Sequence, residues 1–268
     1  MNHIPRKRFG QNFLIDPAIV ADITSAIDPC DNDLLVEIGP GLGALTRPLL
    51  QALDHLHVVE IDRDIIERLR HEFPKEKLTI HSGDALEFDF FTLGKELRVV
   101  GNLPYNISTP LLFYLSRFSE YIRDMHFMLQ KEVVERMVAM PSTGEYGRLS
   151  VMLQCRFKME SLFVVPPESF RPPPKVDSAV VRMVPLAQPL VQPDQEKLFA
   201  GIVSAAFSQR RKTLRNTLRD YLKPGDYLAL EIDSGQRAEN LSAAQFVTIA
   251  DYLDGLNGMR TVVPGSKP

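Results

Sequence analysis

The strongest constraint on the fold is an alternation of short apolar strands with helical segments through the first two thirds of the chain. The predicted strands, rich in β-branched residues, lie at 34–38, 56–60, 78–81, 98–101 and 126–129. Segments with a helical spacing of apolar residues lie at about 16–27, 44–53, 63–72, 108–119 and 131–139. Asp16 and Pro17 provide an N-cap and a first-position proline for the first of these helices. This alternation predicts β-α units whose strands lie parallel in one sheet.

The pattern changes in the last third of the chain. A predicted helix at 146–158 is followed by two strands at 162–165 and 178–184, which a proline-rich stretch separates. Two late strands joined in this way predict an antiparallel hairpin at the sheet edge. Three prolines within 185–193 mark a domain boundary, and beyond it the predicted elements are helices at 194–207, 211–222 and 242–254, with a short turn near 226–231. We therefore expect two domains, at 1–187 and 188–268.

Composition excludes several classes of protein. With 44% hydrophobic and 24% charged residues, the chain is typical of a folded protein rather than a disordered one. No apolar run approaches the roughly 18 residues of a membrane helix, and the basic start lacks the apolar core of a signal peptide. Cys30 and Cys155 stand far apart without a Cys-x-x-Cys or His-rich neighbour. We therefore expect a cytoplasmic monomer with no membrane segment, disulfide framework or metal site.

Three of the predicted strands end in residues suited to a nucleotide cofactor. The first runs into a Gly-x-Gly-x-Gly turn that begins at Gly39 and includes Gly41, with Glu37 two residues ahead. Glycines at such a turn allow the backbone to pass close to a ligand. The second strand ends at Glu60, whose carboxylate can accept both hydroxyls of a ribose, and the third leads to Asp84. The alternative, a tight turn with an incidental acid, does not explain all three strand ends together.

The fourth strand ends in a loop that could activate an amine. The exocyclic amine of adenine is a poor nucleophile because its lone pair is delocalised into the ring. Asn102 can offer a side-chain oxygen, and Leu103 a backbone carbonyl next to Pro104, which has no N–H of its own. Two such acceptors would localise the lone pair, and Tyr105 offers a ring on which a base could stack. Asn-Leu-Pro-Tyr after the fourth strand resembles the amino-methyltransferase motif, which implies methyl transfer to such an amine.

Positive charge is concentrated in two short windows, although the formal net charge of the whole chain is −3. The window 1–15 carries +3, and the window 210–219 carries +5 with no acid. The cations are Arg6, Lys7 and Arg8 in the first window and Arg210, Arg211, Lys212, Arg215 and Arg219 in the second. On the helix predicted at 211–222, Arg211, Arg215 and Arg219 would form one charged face with Lys212 beside them. A solvated face is the alternative, but windows this basic in an acidic chain suit phosphate contacts.

Six segments together resemble the bacterial small-subunit (16S) ribosomal RNA adenine-N6,N6-dimethyltransferase family. In chain order they read KRFGQNFL from residue 7, VEIGPGLG from 36, GNLPYNISTP from 101, MHFMLQKEV from 125, FRPPPKVDS from 170 and FSQRRKTLRN from 207. The resemblance covers about residues 6–253. It implies an α/β fold with a Rossmann-like S-adenosylmethionine-dependent methyltransferase domain and a small C-terminal all-helical domain that binds RNA. The implied enzyme dimethylates two adjacent adenosines in the 3′-terminal hairpin loop of small-subunit rRNA, within the subunit or its precursor.

The resemblance also assigns roles to individual residues. Cofactor binding falls on Asn12, Leu14, Gly39, Gly41, Glu60, Asp84 and Asn102. Target-base contact falls on Asn102, Leu103, Pro104 and Tyr105, with Phe170 as the opposing aromatic. RNA binding falls on the two basic windows. The methyl group would move by direct in-line displacement, which requires no metal and no covalent enzyme intermediate. Without the resemblance, Phe170 reads as a packing residue.

Three other functions compete with this one. The closest is an adenine-N6 methyltransferase acting on large-subunit rRNA, but the segments beginning at Phe170 and Arg210 favour the small-subunit enzyme. The second is a ribosome-assembly or transcription factor that keeps the fold for binding alone, which the intact loop from Asn102 to Tyr105 disfavours. The third is a nicotinamide dehydrogenase, which the glycine spacing disfavours.

Overall fold

The structure, a computed structural model, describes residues 11–261, and this part of the chain divides into two compact units. The first unit comprises the described residues up to Glu135 together with Lys158–Pro185, and the second comprises Arg136–Phe157 together with the described residues from Leu186 onward. This division differs from the contiguous one predicted at 187/188, because 136–157 groups with the second unit. Each unit buries its own cluster of apolar side chains.

The first unit is an α/β sheet. The strands are β1 (Phe13–Leu14), β2 (Leu35–Ile38), β3 (Leu56–Glu60), β4 (Leu78–Ser82), β5 (Leu97–Asn102), β6 (Ile122–Gln130), β7 (Phe157–Val165), β8 (Phe170–Arg171) and β9 (Ser178–Pro185). The helices are α1 (Pro17–Ile27), α2 (Thr46–Ala52), α3 (Arg63–Glu72), α4 (Ser108–Ser116) and α5 (Lys131–Val138), which begins in this unit. The predicted strands and helices of this region are therefore present, with bounds shifted by a few residues.

Seven of these strands form one mixed sheet in the order β4-β3-β2-β5-β6-β9-β7. The pairs β4·β3, β3·β2, β2·β5 and β5·β6 are parallel, and β9 is antiparallel to β6. The parallel strands follow from their sequences, since strands covered on both faces are largely apolar, and the fully buried β2 is apolar except at Glu37. The two late strands lie side by side at one sheet edge, as the sequence predicts. Strands β1 and β8 pair separately.

Local chemistry fixes where α1 begins. Asp16 has an extended backbone, and its carboxylate accepts the N–H groups of Ala18 and Ile19 at 2.9 and 3.4 Å. These bonds satisfy two donors that have no partner inside the helix. Pro17 stands at the first helical position, where its missing N–H costs nothing. The predicted cap is confirmed, and it ties the start of α1 to the short strand β1 that precedes it.

The second unit is helical. Its helices are α6 (Arg148–Gln154), α7 (Glu196–Ala206), α8 (Leu214–Thr217), α9 (Pro224–Ala229) and α10 (Ala243–Thr261). Its core includes the fully buried Phe199, Phe246 and Ile249, which alternate at helical spacing with exposed positions on α7 and α10. Segment 136–157 contributes Val151 and Cys155 to this core, which explains why it groups with the later helices.

The prediction of a helix at 211–222 is wrong, because within this range only Leu214–Thr217 is helical. Thr213 is extended, and the N–H groups of Leu214 and Arg215 donate to the carbonyls of Gln236 and Ser234 at 2.8 and 3.0 Å. A helix starting at 211 would need those two N–H groups for its own first turn. Arg211 and Arg219 therefore lie outside α8, and the predicted single helical face of arginines does not form.

Within the described part of the chain, membrane-spanning helices and metal-binding clusters are both absent. No helix within residues 11–261 is long and apolar enough to cross a membrane. Within the same residues, no group of three or more His, Cys, Asp or Glu side chains is arranged to hold a metal ion. Cys30 is an exposed free thiol, and Cys155 is a buried one.

Gly101 on β5 lies tightly against the backbone of β2. A Cβ atom on Gly101 would lie 2.5 Å from the carbonyl oxygen of Ile38, which is a backbone atom of the neighbouring strand and cannot move alone. Gly101→Ala should therefore lower the free energy of unfolding by about 1–3 kcal/mol. The matched control is Gly83→Ala, since a Cβ there meets nothing within 4 Å and the change should stay within about 0.5 kcal/mol. Urea unfolding followed by circular dichroism measures both, and equal effects would contradict this packing argument.

Candidate active site

The carboxyl ends of β2, β3, β4 and β5 surround a cavity of about 260 Å³ in the first unit. Residues 11–14 line the same cavity and complete its wall. The residues predicted for cofactor binding all line it: Asn12, Leu14, Gly39, Gly41, Glu60, Asp84 and Asn102. The loop residues predicted to contact the base, Leu103, Pro104 and Tyr105, line it as well. Positions up to 93 residues apart are thus brought together at one sheet edge, where open α/β sheets bind ligands.

The glycine turn after β2 has the backbone conformation that its sequence predicts. Gly39 and Gly41 have φ angles of 66° and 54°, which residues with side chains rarely adopt. A Cβ on Gly39 would meet no atom within 4 Å, so this position faces open space. A Cβ on Gly41 would lie 3.1 Å from Cδ1 of Phe13. The turn is therefore bare on the cavity side and is tightly covered by β1 at Gly41.

Glu60 is held in one orientation at the end of β3. Its side chain is 7% exposed, and Oε1 accepts the N–H groups of Ile61 and Asp62, both at 2.8 Å. Burial raises the pKa of Glu60 above its ordinary value, although these backbone bonds act in the opposite direction. A buried carboxylate that is fixed by backbone donors is suited to accept further hydrogen bonds from a ligand's hydroxyl groups.

Glu37 is a cavity residue to which the sequence argument gave no binding role. It is 1% exposed, and the hydroxyl of Thr46 donates to its Oε2 at 2.6 Å. Burial raises the pKa of Glu37 to about 7, against the effect of the Thr46 bond, and the nearby Glu60 carboxyl raises it further. The signal in the sequence was its position two residues before Gly39.

Asp84 lies just beyond β4 and closes another side of the cavity. Its Oδ1 accepts the N–H of Leu86 at 2.9 Å, and its backbone carbonyl accepts the N–H of Glu87 at 3.0 Å. These bonds form a local turn that fixes the carboxylate at the carboxyl edge of the sheet.

The N-terminal segment 11–16, which we call the strap, is fixed at several points. Gln11 Nε2 donates to Asp62 Oδ2 at 3.1 Å, which ties the strap to the turn after β3. Strand β1 pairs with β8, and the N–H of Ile15 donates to the carbonyl of Ser169 at 2.8 Å. The Ser169 hydroxyl donates to Asp16 Oδ2 at 3.1 Å. Sequence reasoning missed Gln11 and Asp62, because nothing local indicates that they meet.

Asn102 connects the strap to the loop after β5. Its Nδ2 donates to the backbone carbonyl of Asn12 at 3.0 Å. This bond distinguishes the two ends of the side-chain amide, since only the nitrogen can donate. The Leu103 N–H donates to Met128 on β6 at 3.1 Å, and among the described residues no hydrogen bond ends on the Leu103 carbonyl. The loop therefore keeps an oriented amide oxygen and a carbonyl as acceptors.

Tyr105 and Phe170 occupy very different positions. Tyr105 is partly buried and lines the cavity, its hydroxyl shares a 2.7 Å hydrogen bond with Ser178 Oγ, and burial raises its pKa. Phe170 is 2% exposed, lies opposite Leu14 in the β1·β8 pair and packs into the core of the first unit. It is not among the residues that line the cavity. This position is that of a packing residue, and the stacking role that the resemblance assigns to Phe170 stays a prediction.

The predicted phosphate-binding residues are in part exposed and in part outside the described chain. Arg210, Arg211, Lys212, Arg215 and Arg219 are all exposed on the second unit. Two of them have partners: Arg210 donates to the carbonyl of Gly144 at 2.8 Å, and Arg219 lies 3.8 Å from Asp220. The other basic residues, Arg6, Lys7 and Arg8, lie outside the described residues.

Comparisons with known proteins agree with this geometry. The sequence profile of the ribosomal RNA adenine dimethylase family matches residues 2–255. A ribosomal RNA small subunit methyltransferase A from Nitrosospira multiformis is 72% identical over 254 residues, covering 95% of this chain and 98% of that protein. A dimethyladenosine transferase from Plasmodium falciparum superposes with a TM-score of 0.79 at 25% identity, covering 91% of this chain and 98% of the other. The 23S rRNA methyltransferase ErmE superposes with a TM-score of 0.70 at 25% identity, covering 91% of this chain and 100% of the other. The predicted α/β methyltransferase fold is confirmed.

The raised pKa of Glu37 predicts a pH dependence of stability. Its pKa is about 7 in the folded protein against an ordinary value of 4.5, so its contribution is fully present below pH 4.5 and is lost as the pH rises through 7. Between pH 5 and pH 8 the loss should be about 1–3 kcal/mol, and Glu37→Gln should abolish it. Urea unfolding at both pH values measures this. Glu87→Gln, which changes an exposed carboxyl of the same unit, is the control. A Glu37→Gln variant that follows the wild-type profile would contradict the argument.

Proposed function

The chain belongs to the ribosomal RNA adenine dimethylase family, and we propose that it dimethylates N6 of two adjacent adenosines in the 3′-terminal hairpin loop of small-subunit (16S) rRNA. S-adenosylmethionine is the methyl donor, and the modification belongs to small-subunit biogenesis. One observation carries the proposal. The loop from Asn102 to Tyr105 lines the same cavity as Gly39 and Glu60, with its amide oriented by the strap. A methyl donor and an adenine amine can therefore meet there.

The residues of the cavity fit S-adenosylmethionine. When bound, this cofactor supplies a methyl group on a cationic sulfur. Two buried carboxyl groups, those of Glu37 and Glu60, face the cavity, and a cation beside them favours their charged forms. Glu60, with Oε1 already fixed by backbone donors, would accept the ribose hydroxyls, and Asp84 would hold the adenine part. The strap residues Asn12 and Leu14, which line the same cavity, would also contact the cofactor.

The loop supplies two acceptors for the target amine. With Nδ2 of Asn102 engaged by Asn12, the amide oxygen is turned to the other side, where it accepts one N–H of the adenine. The Leu103 carbonyl accepts the second. These bonds localise the nitrogen lone pair and direct it at the methyl group. A once-methylated amine keeps a single N–H, so the second transfer uses one acceptor. Catalysis is then mainly positioning, which can contribute roughly 7–11 kcal/mol.

The substrate assignment rests on sequence more than on fold. ErmE, a 23S rRNA methyltransferase, has a similar structure, so the fold alone does not separate small-subunit from large-subunit substrates. The small-subunit assignment is supported by the segments beginning at Phe170 and Arg210 and by the name of the 72% identical relative. A purely binding role is disfavoured, because the acceptor geometry of Asn102 and Leu103 would then have no purpose. With rRNA as its substrate, the protein would act in the cytoplasm, as a monomer.

Methyl transfer to immature small subunits tests the proposal. Wild-type protein with labelled S-adenosylmethionine should place the label in the 3′-terminal hairpin, as mass analysis of rRNA fragments would show. Asn102→Ala should lower the rate at least about 10²-fold, because one of the two acceptors is lost at the reacting atom, while binding to the subunit stays largely intact. Label in large-subunit rRNA, or in no RNA, would refute the proposal. Equal loss of binding and transfer would refute the role given to Asn102.

We also propose that the exposed basic residues of the second unit contact RNA phosphates. Replacing Arg211, Arg215 and Arg219 together by glutamine should weaken subunit binding and flatten its dependence on salt. Each lost contact to a duplex phosphate should change the log–log slope by about 0.9. Lys197→Gln, which removes an exposed charge elsewhere on the same unit, is the control and should leave the slope unchanged. An unchanged slope in the triple variant would show that these residues are only solvated and do not contact RNA phosphates.

A further inference from the structure

Ser178 holds the far end of the Tyr105 ring. The two hydroxyl oxygens lie 2.7 Å apart, although the residues are 73 positions apart in sequence, and Ser178 is completely buried. We propose that Ser178 is a positioning residue for methyl transfer, which fixes the location of the Tyr105 ring on which the target adenine stacks. The inference rests on the proposed function, because it needs an adenine as the acceptor. It assigns the reaction a residue that does not itself line the cavity.

The backbone at the other end of Tyr105 is fixed independently. Leu103, two residues before Tyr105, donates its N–H to the carbonyl of Met128 on β6 at 3.1 Å. The hydroxyl of Ser108 donates to the carbonyl of Pro104 at 2.9 Å, and the N–H of Ile107 donates to the same carbonyl at 3.1 Å. With the backbone held in this way, the remaining freedom of Tyr105 lies in its two side-chain torsions. The hydroxyl oxygen lies on the axis about which the ring turns, so its hydrogen bond to Ser178 restricts the first torsion, which sets where the ring lies.

Ser178 is itself rigidly placed. It is the first residue of β9 and pairs with Gln130, the last residue of β6. The next residue after Gln130, Lys131, donates its N–H to the carbonyl of Asp177 at 3.0 Å, which closes the end of the strand pair. The serine hydroxyl therefore projects from a paired strand and not from a mobile loop. The same strand β6 also accepts the N–H of Leu103, so β6 supports both the loop backbone and Ser178.

The chemistry of the phenol suits this role. Burial raises the pKa of Tyr105, so the hydroxyl keeps its proton and the hydrogen bond at neutral pH. Stacking needs a ring in a defined place, and a side chain that is fixed beforehand loses less freedom when the base arrives. Without the bond the side chain can swing away, and the adenine amine is less often aligned with Asn102 and Leu103. The effect should appear in the transfer rate and in base stacking, and not in cofactor affinity.

A double-mutant cycle tests the inference. Ser178→Ala and Tyr105→Phe each remove one side of the bond and should each lower kcat for small-subunit rRNA by roughly 3- to 10-fold, as expected for one hydrogen bond. The double variant should be no slower than either single variant. Both should reduce the quenching of a 2-aminopurine placed at the target position, while affinity for S-adenosylmethionine stays unchanged. Ser178→Thr, which keeps a hydroxyl, should restore most of the rate.

The control is Ser116→Ala, which removes another buried serine hydroxyl of the first unit, bonded to the carbonyl of Phe113 at 2.7 Å, and should have wild-type kinetics. Wild-type rates in Tyr105→Phe, or a further loss when Ser178→Ala is added to it, would overturn the inference, since neither depends on the shared bond. If wild-type protein labels rRNA and Ser178→Ala does so equally fast, this inference alone fails. If wild-type protein labels no rRNA, the proposed function fails with it.

Discussion

Parallel pairing of β2, β3, β4 and β5 is the constraint on which the site depends. Because these four strands run the same way and pair in register, their carboxyl ends lie at one edge, and each delivers a polar group to one cavity. The pairing is close enough at β5 that Gly101 leaves no room for a Cβ beside the Ile38 carbonyl. The catalytic loop therefore begins from a backbone position that the neighbouring strand fixes.

The strap adds what the sheet alone does not provide. Its backbone carbonyl at Asn12 receives the amide N–H of Asn102, so a segment that covers the cofactor cavity also orients the residue that would receive the target amine. On the opposite side, Ser178 supports Tyr105 from the late strand β9. The Asn102 amide and the Tyr105 ring are thus positioned by chain segments remote from the loop, which is the kind of positioning that the proposed methyl transfer would use.

Local patterns in the sequence predicted the parallel sheet, the cap at Asp16 and the residues at the strand ends, because each depends on a few neighbouring residues. Contacts between distant residues could not be predicted in this way. Nothing near Asn12 or Ser178 indicates that they meet Asn102 and Tyr105, respectively. The same limit explains the wrong helix at 211–222, whose spacing of apolar residues was helical. Two N–H groups that its first turn would need are bonded instead to a segment about 20 residues further along the chain. The inclusion of 136–157 in the second unit likewise depends on packing.

A crystal structure of this chain with S-adenosylhomocysteine, the product left after transfer, would test the central claim most directly. The account predicts the ribose hydroxyls on Glu60, the sulfur next to the loop from Asn102 to Tyr105, and the Asn102 amide nitrogen still bonded to the Asn12 carbonyl. A ligand bound elsewhere would contradict the account, and so would an Asn102 side chain turned so that its nitrogen no longer bonds to the Asn12 carbonyl.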